Sequence, residues 1–262
     1  MKVTFLGTGT SVGVPVIGCR CRVCTSKDSR NRRMRQSVWI RNGEASILID
    51  ASSDFRQQAL KFGIQRLDAI LVTHAHADLI LGLDDTRLFA YRQRAPVPLY
   101  GTERTLQGIK KTFWYAFDDV PEGGGRPKVD LIPVRGRFQV GGLQILPLEG
   151  DHGFIPVTGY RIDGFAYLTD CKRIPQATVE ALRGVECLVL NALRREPEHP
   201  THMTVGEALA AVSEIAPERA YLVHMGHELD HEDLESSLPE GVSPAYDGLT
   251  LTLPDPTKEN GS

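Results

Sequence analysis

The chain has 262 residues and a formal net charge of −3, with 41% hydrophobic and 24% charged residues. This composition is typical of a soluble globular protein that buries a sizeable core, as one large α/β domain or two small ones. It excludes a general basic field of the kind that holds a nucleic acid, so a nucleic-acid partner is not expected. No apolar run approaches the ~20 residues needed to cross a bilayer, which argues against a membrane protein.

The first predicted element is a strand over Lys2–Leu6, which runs into a glycine-rich loop. Val16–Cys19 looks like a bacterial lipoprotein cleavage site. However, glycines and a proline break the segment before it, so it makes a poor signal sequence. We therefore expect a cytoplasmic protein.

Three of the five cysteines follow this loop closely, at Cys19, Cys21 and Cys24. In a reducing compartment such a group argues for metal rather than for disulfides. Three thiolates at this spacing can surround a tetrahedral structural zinc ion, which needs a fourth ligand. Cys171 and Cys187 are most simply ordinary buried residues.

Asn42-Gly43 is a strong hairpin signal between strands predicted over Ser37–Arg41 and Ala45–Asp50. A helix over Asp54–Phe62 follows, and Leu67–Val72 is the next predicted strand.

The strand that ends at Val72 leads into the densest cluster of metal-ligand types in the chain, His74, His76 and Asp78. On an extended strand end the two histidines point the same way, because side chains repeat every two residues. Asp78 stands where a helix, predicted over Leu81–Tyr91, should begin, and a carboxylate there can cap free N–H groups.

The second half of the chain alternates short strands with a few helices. The predicted strands cover 97–100, 129–134, 137–140, 143–148, 158–162, 165–168, 187–191, 220–223 and 249–253. The predicted helices cover 103–111, 175–182, 204–215 (opened by a Thr204/Glu207 capping box) and 231–238. Phe113–Phe117 and the Gly/Pro-rich loop Pro121–Pro127 form either a substrate lid or a core segment with its surface loop.

Six residues of metal-ligand type follow predicted apolar strands: His74, His76, Asp78, His152, Asp170 and His224. Repeated ligand types at strand ends indicate a mixed α/β sandwich with a metal site at one edge. No linker separates domains, so we expect one domain over residues 1–253, with a zinc-binding loop at 19–24 and a flexible tail at 254–262.

The segment Thr73–Leu79 resembles the T-H-x-H-x-D-H signature of the metallo-β-lactamase superfamily, with leucine in place of the last histidine. Over nearly the whole chain the sequence is similar to the branch that contains phosphoribosyl cyclic phosphate phosphodiesterase. Further segments carry this resemblance: 7–9, 19–24, 48–51, 151–152, 168–170, His202, 224–227 and 246–248. The resemblance implies a single-domain αββα sandwich.

The resemblance also implies a dinuclear site. His74, His76 and His152 would hold one metal, Asp78 and His224 a second, and Asp170 would bridge them. Mn²⁺ and Zn²⁺ both suit these ligands, and iron does too. Two such cations hold a hydroxide that attacks phosphorus in line.

Three further roles follow from the same resemblance. His202 matches the family's general acid, with a pKa near the operating pH, and would act together with Asp78 in catalysis. His227 would be the fourth ligand of the cysteine-bound zinc. The aspartate that matches Asp50 supports the metal loop from behind rather than binding metal.

Leu79 has no lone pair, so we expect a weakened second metal site and reduced activity, with the leucine lying at the rim of the site. The expected function is a metal-dependent phosphodiesterase acting on a small cyclic or diester phosphate. An RNase Z-like nuclease, a thioesterase or lactamase-type hydrolase, and a catalytically silent zinc-stabilised binding protein remain as alternatives. The expected partners are a small phosphate ester and, as an open alternative to a monomer, a second copy of the chain.

Overall fold

The computed structural model describes residues 1–118 and 125–254. In these ranges two sheets of seven strands each form the centre of the molecule. The strands are β1 (Lys2–Gly7), β2 (Ser37–Asn42), β3 (Ala45–Ile49), β4 (Ala69–Leu71), β5 (Val97–Gly101), β6 (Val129–Pro133), β7 (Phe138–Val140), β8 (Leu143–Asp151), β9 (Pro156–Ile162), β10 (Phe165–Leu168), β11 (Cys187–Asn191), β12 (Arg219–Val223), β13 (Val242–Pro244) and β14 (Thr250–Thr252). The helices are α1 (Phe55–Phe62), α2 (Ala77–Ile80), α3 (Arg87–Gln93), α4 (Glu103–Thr112), α5 (Trp114–Phe117), α6 (Gln176–Leu182), α7 (Val205–Ile215) and α8 (His231–Glu235).

The first sheet has the order β14-β1-β2-β3-β4-β5-β6, and the second β13-β12-β11-β10-β9-β8-β7. Each sheet is antiparallel at one end and parallel at the other, where β3 to β6 and β10 to β13 run side by side. Parallel neighbours end at the same edge of a sheet, so the residues that follow them are brought together.

Both sheets are buried on two faces, which explains their continuous apolar runs. Along β3, Ile47 and Ile49 belong to the core between the sheets, whereas Leu48 packs on the opposite face beneath the helices. A third cluster lies between the second sheet and the helices α6 and α7, with members such as Leu188 and Ala208. The layers are therefore helix, sheet, sheet, helix, and the predicted αββα sandwich is confirmed.

The predicted helix over Leu81–Tyr91 was wrong at its start. The chain instead makes the short helix α2, then a 3-10 segment over Leu81–Thr86, and then α3. Gly82 explains the change, because a Cβ there would lie 2.1 Å from the Ser52 carbonyl oxygen and 2.5 Å from Phe55 Cβ. The close contact with the loop after β3 thus fixes the path of this segment more strongly than apolar periodicity does.

The segment Phe113–Phe117 is largely a packing segment. Phe113 is buried in the core beneath the first sheet, and the hydroxyl of Tyr115 donates to Asp84 at 2.7 Å, although Trp114 is exposed. Most of the predicted loop 121–127, and nearly all of the predicted tail 254–262, lie outside the described residues.

The described helices include none that combines the length and apolar character required to span a membrane.

Candidate metal centre

Three histidines from two sheets meet at one edge of the sandwich. His74 and His76 follow β4, and His152 follows β8. Nε2 of His74 lies 2.9 Å from Nδ1 of His76, and the ring centroids of both lie 5.2–5.3 Å from that of His152. One nitrogen from each ring lies within 4.8 Å of the others, so a single cation could contact all three.

Asp170 lies beside this group, at the end of β10 in the second sheet. Its Oδ1 is 3.5 Å from Nδ1 of His224 and 3.7 Å from Nδ1 of His202. The His202 ring stacks on that of His224 with centroids 4.5 Å apart and lies 4.7 Å from that of His152. Ligand atoms of His152, Asp170 and His202 also lie within 4.8 Å of one another.

The hydrogen bonding and the protonation of these side chains suit the binding of a cation. Nδ1 of His224 is buried and has no hydrogen-bond partner among the described residues. An unpaired buried polar atom costs free energy, which a bound ion would offset. Burial lowers the pKa of His74 to about 3, so its imidazole is neutral and keeps a lone pair for a metal.

The carboxylate of Asp170 carries the negative charge of the site. Burial alone would raise its pKa, but the surrounding histidines, His224 first, lower the pKa well below the usual range. The group is therefore ionised, as a metal ligand must be.

Asp78 lies in the first turn of α2, where His76 is the N-cap and the His76 side chain makes no capping hydrogen bond. Burial raises its pKa, and the charge of Asp170 raises it further, while His224 acts in the opposite direction. Among the described residues, neither Asp78 nor His224 belongs to a group of three ligand atoms that all lie within 4.8 Å of one another. The ligands expected for the first metal, His74, His76 and His152, therefore form a more compact group than the ligands expected for the second metal.

Leu79 is not at the rim of the site, contrary to expectation. Its side chain is fully buried in the core cluster that includes Phe55 and Leu83. Leu79 packs among apolar residues between the helices and the first sheet, directly after the candidate ligand Asp78, so its surroundings suit a leucine.

Asp50 lies behind His74. Its two carboxylate oxygens accept hydrogen bonds from the backbone N–H of Thr73 at 2.9 Å and from the Thr73 hydroxyl at 3.0 Å. Complete burial raises the pKa of Asp50 well above its usual value. These contacts fix the backbone immediately before His74.

Gln36 is a buried site residue that sequence reasoning missed. Its side-chain amide donates to Oδ2 of Asp170, and its carbonyl accepts from the Thr169 hydroxyl at 2.6 Å. Gln36 precedes β2 in the first sheet and so joins the two sheets at the metal centre. The sequence shows only that Gln36 directly precedes the predicted strand Ser37–Arg41, and this position does not indicate a site residue.

His202 stands on the loop before α7, and the capping box predicted for that helix is present between Thr204 and Glu207. The preceding residue, Thr201, accepts a hydrogen bond from Nδ1 of His152 at 2.9 Å through its carbonyl, which leaves Nε2 of His152 free. In the free protein the pKa of His202 lies below the near-neutral value expected for a general acid. Burial, followed by the charge of His224, lowers its pKa to about 3.

The backbone is left-handed at three site residues, with φ of 59° at Asp50, 52° at Asp170 and 55° at His224. Non-glycine residues adopt this conformation only where the surrounding structure holds them there, and such positions concentrate at functional sites. Each of these residues follows a strand, so the turn directs its side chain across the sheet edge.

A second cluster unites the three grouped cysteines with His227 from the far end of the chain. Nδ1 of His227 lies 3.2 Å from Cys19 Sγ and 3.5 Å from both Cys21 Sγ and Cys24 Sγ. A tetrahedral zinc ion with ordinary Zn–S and Zn–N bonds separates S and N by about 3.5 Å, so the geometry fits. The Cys24 backbone N–H lowers the pKa of Cys21 to about 6, whereas burial raises that of Cys24 to about 11.

Known proteins are similar to this chain in both sequence and fold. A family model described as a beta-lactamase superfamily domain matches residues 45–225. A crystal structure of a new diphosphatase from the PhnP family is 40% identical in sequence, with a TM-score of 0.90 over 97% of this chain and 98% of that chain. The chain belongs to the PhnP family of the beta-lactamase superfamily.

Two other relatives are similar to this PhnP-family chain over 97% of its length. An octanoyltransferase of Porphyromonas gingivalis is 40% identical over 257 residues, which are 97% of this chain but 52% of that protein. The chain therefore spans about half the length of this curated relative. Zinc-bound PqqB from Methylobacterium extorquens is 22% identical, with a TM-score of 0.77 over 97% of this chain and 100% of that chain, and shares the fold.

The superfamily fold and the PhnP-family neighbour support a hydrolase. The histidine and aspartate clusters at the sheet edge support binding of a divalent metal ion.

Proposed function

We propose that this protein is a metal-dependent phosphodiesterase that hydrolyses a small cyclic or diester phosphate. The observation that carries the proposal is the position of His202. Its ring lies between those of His152 and His224, and its Nδ1 has no hydrogen-bond partner among the described residues. A free imidazole edge beside a metal centre suits proton transfer to a departing oxygen.

Divalent cations at the site would be held by His74, His76 and His152 on one side and by Asp78 and His224 on the other, with Asp170 between them. When bound, they would supply positive charge that draws electrons from phosphoryl oxygens and acidifies water. Gln36 and Asp50 would hold the ligands Asp170 and His74 in place through the hydrogen bonds described above.

His202 would protonate the alkoxide that leaves phosphorus. Because its imidazole is neutral in the free protein, it must acquire a proton as the substrate binds. A phosphodiester brings a negative charge next to the ring, which favours the protonated form. The reacting carbonyl of a thioester or a lactam is uncharged, so the arrangement favours phosphate esters over those substrates.

Bis(p-nitrophenyl) phosphate, a ribose cyclic phosphate, a precursor tRNA and a thioester, each with added Mn²⁺, test the proposal. We expect turnover of the first two and none of the thioester. Preferential cleavage of the precursor tRNA would favour an RNase Z-like nuclease. The absence of turnover on every substrate, with the zinc of the cysteine cluster retained, would favour a binding protein.

A further inference from the structure

The turn that follows His152 presents a large aromatic side chain to solvent. Phe154 is 85% exposed, although it lies two residues from a histidine of the metal centre. Single exposed apolar residues are common on protein surfaces, so exposure alone carries no function. What distinguishes Phe154 is the rigidity of the turn beneath it and the segment on which this turn rests.

Three hydrogen bonds hold the turn. The backbone N–H of Phe154 donates to the His152 carbonyl at 2.9 Å, and that of His152 donates to the Ile155 carbonyl at 2.9 Å. The carboxylate of Asp151 accepts from the Gly153 N–H at 2.8 Å. These hydrogen bonds therefore fix the position of the Phe154 backbone.

Gly153 brings this turn against the loop that carries His202. Its φ is +79°, and a Cβ there would lie 2.7 Å from the Pro200 carbonyl oxygen and 2.9 Å from Thr201 Cγ2. Only glycine permits both the conformation and the contact. The base of the Phe154 turn thus lies directly on the segment that leads to His202.

A cationic side chain is attached to the same turn. Nε of Arg173 lies 3.3 Å from Oδ2 of Asp151, the carboxylate that also holds Gly153, and the Arg173 side chain is 76% exposed. The backbones of Asp151 and Arg173 are joined by hydrogen bonds in both directions. The edge of the site therefore offers an aromatic face and a guanidinium on one rigid unit.

We propose that Phe154 is a specificity-determining residue, a stacking platform for a planar aromatic ring carried by the phosphate ester. A nucleobase is the biological group of this chemistry, with Arg173 favouring the charge of the adjoining phosphate. This inference rests on the proposed function, because it names the class of ester that the same site accepts. Because the backbone turn beneath Phe154 is fixed by hydrogen bonds, stacking requires no rearrangement of the main chain.

Calorimetry on the Mn²⁺-loaded protein tests the platform with two ligands that differ in the aromatic base, adenosine 5′-monophosphate and ribose 5-phosphate. Base stacking on an aromatic side chain improves binding by about tenfold or more. We expect the nucleotide to bind more tightly by that factor, and the Phe154→Ala variant to lose the difference while its affinity for ribose 5-phosphate is unchanged. Phe154→Trp restores the difference. In the Zn²⁺-loaded proteins, which are diamagnetic, the adenine proton resonances shift upfield only where residue 154 is aromatic.

Tyr91→Ala is the matched control, since Tyr91 is also exposed, at 83%, but lies on α3. Equal affinity of the wild-type protein for the two ligands, or no binding of either at millimolar concentration, would overturn the proposal. An equal loss for both ligands in Phe154→Ala would also overturn it, because Phe154 would then shape the turn only. If no phosphodiester is hydrolysed, the proposed function fails, whereas the calorimetric difference still decides whether the aromatic subsite exists.

Discussion

Nδ1 of His224 lies 3.5 Å from Oδ1 of Asp170, and both residues have a left-handed backbone. Asp170 follows β10 and His224 follows β12, with β11 between them in the sheet. Two uncommon turns after parallel strands of the same sheet thus bring a carboxylate and an imidazole together at the proposed second metal position.

Asp170→Asn should remove metal without removing the fold. Asparagine tolerates a left-handed backbone, so the turn survives, but the amide cannot supply the negative charge of the carboxylate to a divalent cation. We expect loss of catalytic-site metal by elemental analysis and a fall in turnover of more than about 100-fold. Asp163→Asn is the matched control, because Asp163 also has a positive φ of 49° but lies in the β9–β10 turn. Retention of full metal content and turnover in Asp170→Asn would contradict the assignment.

Gln36→Ala should weaken metal binding through Asp170. Loss of a residue that orients a metal ligand typically costs about 10–100-fold in affinity, and loss of the buried hydrogen bonds from Gln36 to Asp170 and Thr169 costs about 1–3 kcal/mol of stability. Gln58→Ala provides the comparison, since Gln58 is equally buried but bonds to Ser52 and Arg35. Isothermal titration with Mn²⁺ and chemical unfolding separate the two effects. Equal metal affinity in the two variants would show that Gln36 is a packing residue only.

Removal of the cysteine-bound zinc should lower thermal stability. The binding free energy of a structural zinc ion is folding free energy, and here the ion would join residues 19–24 to His227. We expect Cys21→Ser to lose one zinc equivalent and to melt at a lower temperature, and a chelator to destabilise the wild-type protein but not this variant. Cys187→Ser, at a buried cysteine outside the cluster, should keep its zinc. An unchanged melting temperature with no zinc in the wild-type protein would refute the site.

Asp247 should make stability depend on pH. Burial raises the pKa of this carboxyl from 3.8 to about 6, despite hydrogen bonds from Met34 and Thr8. Between these values the native state binds more protons than the unfolded state, so the free energy of unfolding decreases as pH rises. The contribution is fully present below about pH 4 and is lost above about pH 6, with a change on the order of 2–3 kcal/mol.

Urea unfolding of wild type and Asp247→Asn between pH 4 and 7 measures this contribution. The wild-type protein should lose stability relative to the variant over that range. Asp130→Asn, at an exposed position on β6, serves as the control. A constant difference between wild type and Asp247→Asn across the range would contradict the prediction.

Leu79→His should strengthen the second metal site and destabilise the fold. The added imidazole offers a ligand beside Asp78, but it replaces a fully buried apolar side chain. We expect an increase in bound metal and turnover, with a loss of about 1–3 kcal/mol in unfolding free energy. Ile80→His, at a neighbouring buried position, should lose stability without gaining metal. Two full equivalents of catalytic-site metal in the wild-type protein, with equal turnover in both, would refute the weakened second site.

Much of this architecture could be predicted from the sequence, because each strand end carries two local signals: an apolar run, and a residue of metal-ligand type shortly after it. Apolar runs locate the strands, and the residues that follow them, such as His74, His152 and Asp170, stand at the edge where parallel strands end. The αββα layers and the cysteine group could be predicted from such patterns and from family resemblance. The path from Ala77 to Thr86 could not, because it depends on how closely Gly82 approaches the Ser52 carbonyl.

Other features depend on long-range contacts that leave no local pattern. Gln36 reaches Asp170 across 134 positions of sequence, and nothing around it marks a site residue. The buried position of Leu79 and the low pKa of His202 follow from packing in three dimensions. The sequence motif suggested that Leu79 lies at the rim beside Asp78. In the structure the two residues have different surroundings, because adjacent residues of a helix point in different directions.

The most direct test of metal-dependent phosphodiester hydrolysis is a metal titration followed by turnover. The protein is freed of metal, given one equivalent of Zn²⁺ for the cysteine cluster, and then titrated with Mn²⁺ in the presence of bis(p-nitrophenyl) phosphate. We predict no turnover before Mn²⁺ is added, and a rate that then rises in proportion to bound Mn²⁺ and is abolished in His152→Ala. Turnover that is independent of Mn²⁺, or a fully loaded site with no turnover, would contradict this function.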